Sequence, residues 1–264
     1  MPLGSDLSSE APKVNISLVL LVLQHSYDYT QQGLKSLKRT VSAARLSTYK
    51  ARVDGDLAQA ISLYQLNISL SQALYLPLQM LEVSLRNVIS KSIENIFGIH
   101  WFNEQKFINI LKSKDDWMRK SLREAVRVSK NHCHPKNVAA GDVISRLTFG
   151  FWRELLKSHY KPHIWTKQLS IAFPNLPHYK YRQDIYNRVD QALKLRNRIS
   201  HHEPIIKRSR RLDNEYQFIL GTIGWMCLDT KKWTEYHSNF AEIYQKIPPN
   251  YHQKVGKPIV KKRK

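Results

Sequence analysis

Residues that break helices are scarce in this chain, with nine glycines and eleven prolines among 264 residues and long stretches that hold neither. A backbone so seldom offered a positive φ or a fixed kink is suited to helices, and its apolar residues recur at helical spacing. Leu57, Ile61, Tyr64 and Ile68 form one such series, and Leu78, Leu81, Leu85, Val88, Ile89 and Ile93 continue it. Ile185, Val189, Leu193, Leu195 and Ile199 form another. The expectation is an all-α protein whose 42% hydrophobic content supplies one sizeable core or two small ones.

Taken in order, residues 1–13 are polar, open Met-Pro-Leu-Gly-Ser and are set aside as a tag or leader. Residues 14–33 carry an apolar run over 14–23, half of the ~20 residues a bilayer crossing takes, so a buried or interface-forming segment is expected there rather than an anchor. Residues 34–249 read as one domain and 250–264 as a basic, disordered tail. Within the domain a helix is expected from Leu34 through Tyr49, and Asp56 is placed to cap the next one. Pro77 should start a new helix or kink a long one. Residues 103–130 should form amphipathic helices with basic outer faces. Further helices are expected from Gly141 through Leu156, over 165–173, from near Tyr181 toward Pro204, and over 216–228 and 239–247.

Lysine and arginine outnumber aspartate and glutamate 42 to 21, a net charge of +21 with a pI near 10.0. Such a field attracts polyanions, and with no long apolar span the expected partner is nucleic acid. Charge alone does not separate RNA from DNA or from an anionic membrane. Two cysteines, Cys133 and Cys227, without signal-peptide architecture, point to a reducing cytoplasm. His132-Cys133-His134 has metal-ligating residue types but no second ligand pair at a usual spacing, so neither metal nor cofactor is expected. There is no glycine-rich phosphate loop and no nucleophile elbow.

The densest chemistry lies in residues 193–205, where Arg196, Asn197, His201, His202 and Glu203 fall within eight positions. Pro204 disfavours the helical conformation at Glu203, which puts both histidines in the last turn of a helix. Asn197 and His201, four apart, share a face, and an imidazole there meets the negative end of the helix dipole. Arginine can hold a phosphate in two hydrogen bonds and histidine can move a proton, a pairing suited to a phosphodiester. From spacing alone the cluster reads as a solvated basic helix end in preference to a phosphodiester site. Glu82 and Arg86, followed by Asn87, read as an intrahelical ion pair in preference to groups that face this cluster. Lys207, Arg208, Arg210 and Arg211 form a basic run that is either a solvated face or a grip on a nucleic-acid backbone. The aromatic residues of 147–152 are expected in the core rather than on a base-stacking surface.

Arg196-Asn197-Arg198-Ile199-Ser200-His201 resembles the arginine, spacer and histidine signature of HEPN-domain ribonucleases. The longer string from Leu195 through His201-His202-Glu203-Pro204-Ile205 resembles its form in Abi-like (AbiD/AbiF) abortive-infection proteins. A second block, Leu76-Pro-Leu-Gln-Met-Leu-Glu82-Val-Ser-Leu-Arg86-Asn87 with Phe97-Gly98 and Trp101, and a third, Leu147-Thr-Phe-Gly-Phe-Trp152, extend the likeness over roughly residues 46–236. At Thr148 the family more usually has serine. The resemblance implies a HEPN-like helical bundle with additional helices and a homodimer that brings two such sites together. It implies a metal-independent endoribonuclease in which Arg196 binds the phosphate, His201 is the acid or base and Asn197 fixes either by a hydrogen bond. Glu82, Arg86, Asn87, His202 and Glu203 would be supporting groups. The product would carry a 2′,3′-cyclic phosphate. Such an enzyme acts as a toxin-type anti-phage effector under the restraint of an RNA or protein antitoxin. The alternative is a noncatalytic RNA-binding module on the same scaffold.

Overall fold

The computed structural model describes residues 29–112, 114–132, 139–206 and 211–247. The apolar run 14–23, Cys133, His134, Lys207, Arg208, Arg210 and the basic tail lie outside the described residues. The described residues form twelve α-helices and no strand, as expected of an all-α protein. In chain order these are α1 (Gln31–Val41), α2 (Ala43–Lys50), α3 (Leu57–Phe97), α4 (Gln105–Ile110), α5 (Trp117–His132) and α6 (Ala140–Ile144). There follow α7 (Phe149–Glu154), α8 (Thr166–Ala172), α9 (Arg182–Ser200), α10 (Leu212–Met226), α11 (Leu228–His237) and α12 (Phe240–Gln245).

The 41-residue α3, some 60 Å long at ~1.5 Å per residue, is the axis on which the others pack. Its start is fixed by Asp56, whose carboxylate accepts from the Gln59 amide at 2.9 Å. Its end is fixed by Gly98, whose φ of 87° is open to glycine without strain. Leu66, Leu70, Leu74, Leu78, Leu81, Leu85, Ile89 and Ile93 are buried along it, and the helix meets α2, α7, α8, α9, α10, α11 and α12. Pro77 neither starts nor ends this helix. It is buried inside it, where its missing N–H gives up one backbone bond and its ring joins the packing. Arg188 ties α9 to α10, its guanidinium 4.0 Å from the Trp225 ring centroid and 5.0 Å from that of Phe218.

Several helix boundaries differ from the sequence expectation. The stretch from Leu34 to Tyr49 is two helices, broken at Ser42, which has a φ of 82° and whose hydroxyl caps α2 through the Arg45 amide. The stretch from Gly141 to Leu156 is also two, because Thr148 is extended and its hydroxyl caps α7. The first described helix opens at Gln31, ahead of Leu34, where the domain was expected to begin. No helix was expected at α11. It starts because Cys227 is extended, at φ −157° and ψ 120°, and its sulfur accepts from the Thr230 amide at 3.5 Å. Phe149, Phe151 and Trp152 are buried, as expected of core residues.

Most of the core is one cluster around α3, and Leu34, Leu46 and Ile61 form a second, smaller one that fastens α1 and α2 to the start of α3. The two meet through Tyr64, whose ring packs edge-on against Tyr49 at 5.4 Å. Loss of a fully buried side chain on α3 should therefore outweigh loss of its cap. Leu70→Ala is expected to destabilise by about 2–5 kcal/mol and Asp56→Ala by about 1 kcal/mol, both measured by urea unfolding.

Candidate functional site

The end of α9 is built by a backbone motif rather than by proline alone. His201 is the C-cap, and His202 follows in the left-handed region with a φ of 55°. The His202 amide bonds the Ile199 carbonyl at 2.9 Å and the Glu203 amide bonds the Arg198 carbonyl at 2.8 Å. These two bonds define a Schellman ending, with a histidine at the position glycine usually fills. The helix thus stops at Ser200, and His202 lies beyond the last turn in which the sequence placed it. His201 keeps its bond to the Asn197 carbonyl at 2.9 Å and so stays in register with Asn197 one turn below.

The turn after α9 is held from below. The buried Asn67 of α3 accepts from the Ile205 amide at 2.8 Å and from that of Ile206 at 3.4 Å. Arg45 of α2 donates to the His202 carbonyl, and Arg52 donates to that of Ile206. Arg198 donates to the Pro204 carbonyl and pairs with Glu203 at 3.3 Å. Ile205 and Ile206 are buried in the core. Glu203, expected beside the catalytic pair, is instead the partner of Arg198. Sequence reading missed Asn67, Arg45, Arg52 and Arg198. Asn67 carried a signal, a lone amide on the apolar stripe between Leu63 and Leu70.

On the outer side of α9, Arg196, Asn197, His201 and His202 are exposed. The Arg196 guanidinium donates to the Asn197 side-chain oxygen at 3.3 Å and lies 3.9 Å from a Glu82 carboxylate oxygen. Glu82 therefore faces the cluster across the α3–α9 interface, and among the described residues it has no ion pair within 4 Å to Arg86. Its ion pair thus runs across the interface, while Arg86 acts on it through its charge alone. Burial raises the pKa of Glu82, against the opposing pull of Arg196 and Arg86. Arg86 has a buried Nε without a hydrogen-bond partner among the described residues, while Asn87 is exposed. Neither imidazole of His201 or His202 has a hydrogen-bond partner among the described residues. Of the basic run, the described Arg211 lies apart from this cluster's contacts and pairs with Asp213 at 2.7 Å. Among the described residues no group of histidine, cysteine, aspartate or glutamate could hold a metal ion. No described helix is long and apolar enough to cross a membrane.

A model of the Abi-like protein family matches residues 24–207, more than half of the chain, and the chain belongs to that family. The match takes in Asn67, Glu82, Arg86, Asn87 and the whole turn from Arg196 to Ile206. Comparison with curated proteins and with solved structures finds no match.

Three outcomes are expected. Asn67→Ala removes the acceptor of two buried amides and should destabilise by about 1–3 kcal/mol in urea unfolding. His202→Gly relieves the left-handed backbone and should stabilise by about 1 kcal/mol. Glu82 has a raised pKa in the folded state, so the folded chain keeps a proton that the unfolded chain has lost. Its contribution is full below the ordinary glutamate range and falls as pH rises through the folded pKa. Glu82→Gln should flatten that decline in a pH series of thermal melts.

Proposed function

We propose that this protein is a metal-independent endoribonuclease on a HEPN-like scaffold, a toxin-type effector of abortive infection restrained by an RNA or protein antitoxin. Membership of the Abi-like family connects it with abortive infection. The observation that carries the chemical reading is the presentation of Arg196, Asn197 and His201 to solvent on a helix end whose backbone is pinned at Asn67, Arg45 and Arg198. Rigid support of exposed polar groups is what a positioned catalytic pair needs.

In this reading Arg196 exchanges the nearby Glu82 carboxylate for the scissile phosphate and spreads its developing charge. His201 takes the proton of the ribose 2′-hydroxyl or gives one to the leaving 5′-oxygen. The 2′-oxygen forms its bond to phosphorus as the bond to the 5′-oxygen breaks, leaving a 2′,3′-cyclic phosphate and a 5′-hydroxyl. Asn197 fixes the Arg196 guanidinium, as its 3.3 Å hydrogen bond allows. A homodimer that joins two α9 ends would supply one His201 to accept the proton and another to donate it. The left-handed backbone at His202 supports a functional role for the turn, since a side chain there is kept against a conformational penalty.

A second reading, a noncatalytic RNA-binding module, is favoured by one observation: no described group orients the His201 ring, whereas a catalytic base is commonly held by a third residue. Purified protein incubated with labelled RNA in EDTA decides between them. The nuclease reading expects cleavage that EDTA leaves unchanged, that Arg196→Ala and His201→Ala each reduce by at least about 100-fold, and that His202→Ala reduces less. RNA that is bound yet uncut supports the binding module. Loss of cleavage in EDTA with recovery in magnesium or zinc overturns the mechanism.

A further inference from the structure

Between Tyr29 and Val53, α1, α2 and the start of the following turn carry Lys35, Lys38, Arg39, Arg45, Lys50 and Arg52 and no aspartate or glutamate. Lys35, Lys38 and Arg39 stand at i, i+3 and i+4, which sets them as neighbours on one face of α1, and all three are exposed. Among the described residues neither these three nor Lys50 has an acidic partner within 4 Å. These four cations contrast with Arg119, Arg123 and Arg127 of α5, which are each paired with Asp116 or Glu124. α2 is also joined to the candidate site, because its Arg45 donates to the carbonyl of His202. An open cleft of about 480 Å³ lies along α2 and the turn after it, with Lys38 of α1 at its edge, Lys50, Ser47 and Asp54 around it and Ala43 and Leu46 in its wall. Its lining carries two cations and one anion on a largely apolar surface.

We propose that α1 and α2 form the docking surface for single-stranded RNA. Its phosphates lie along Lys35, Lys38, Arg39 and Lys50, one nucleotide sits in the cleft, and the strand leads over Arg45 to Arg196 and His201. This rests on the RNA reading of the site and adds where the substrate binds. Cations without an acidic partner among the described residues suit a phosphate chain, and an apolar cleft beside Lys38 and Lys50 suits the base or sugar of one unit. The small core of Leu34, Leu46 and Ile61 holds the surface on the first turns of α3, the helix that also presents Asn67 and Glu82 to the site.

The test uses the full chain carrying His201→Ala, so that RNA stays intact, and follows the anisotropy of a short fluorescein-labelled single-stranded RNA across a sodium chloride series. Each phosphate contact on a single strand contributes about 0.7 to the log–log salt slope. The combined change of Lys35, Lys38, Arg39 and Lys50 to glutamine should flatten that slope by up to about 2.8 if all four touch phosphate. Far-UV circular dichroism checks that the helices persist. Ser47→Trp, which fills the cleft from an exposed position, should weaken binding with the slope unchanged. Wild-type slope in the quadruple variant together with wild-type affinity in Ser47→Trp overturns the docking surface, as it would if the surface served a protein partner. Absence of any RNA binding by the His201→Ala chain overturns the RNA reading of the site along with it. Binding that follows both expectations in a protein that cuts no RNA with His201 intact supports the surface and overturns only the nuclease reading.

Discussion

The hydrogen bonds from the Ile205 and Ile206 amides to the buried Asn67 carboxamide fix the turn at which α9 ends, beside Arg196, Asn197 and His201. A backbone that leaves a helix has carbonyls and amides to satisfy, and here it must do so while burying two isoleucines. Asn67 supplies the acceptor inside the core, and Arg45, Arg52 and Arg198 supply donors to three carbonyls. With the turn held on both sides, α9 ends at one place, and Arg196, Asn197 and His201 are displayed at a fixed height above it.

That arrangement depends in turn on α3. One helix carries Asn67, on its buried stripe, and Glu82, on the edge that meets α9, about four turns apart. A break at Pro77 would have uncoupled the two contacts, and the continuous helix keeps both in register. Glu82 is half-buried beside two arginines, so its carboxylate is balanced between the penalty of burial and the pull of their charge. An incoming phosphate would compete for Arg196 at that balance point. The same helix carries α1 and α2 at its start, and Arg45 of α2 reaches the turn.

Much of the fold was legible because it depends on local chemistry. The scarcity of glycine and proline gave the all-α class, Asp56 gave the start of α3, and Tyr181 gave the start of α9. The misread boundaries have physical reasons. Ser42 breaks a helical pattern by a single residue and leaves the apolar periodicity intact on both sides, so only its φ of 82° reveals the break. Thr148 caps α7 within an apolar run; at Pro77, of the two outcomes expected, a new helix is not started and the long helix runs through. The Arg196 to His201 string was readable as a cluster, while its supports were not. Arg45 and Arg52 reach the turn across 157 and 154 positions of sequence, and no local pattern reports such a contact. Glu82 was read as the partner of Arg86, since helical spacing shows the neighbour on the same helix and hides the one on the next.

The central claim, that Arg196 and His201 cut RNA by way of the ribose 2′-hydroxyl, is tested most directly with two labelled RNAs that differ only at the cleavage position. One is all-ribose and the other carries a single 2′-deoxy nucleotide there. Cleavage at that position in the first and none in the second, with the flanking positions unaffected, is the predicted result. Equal cleavage of both would contradict it.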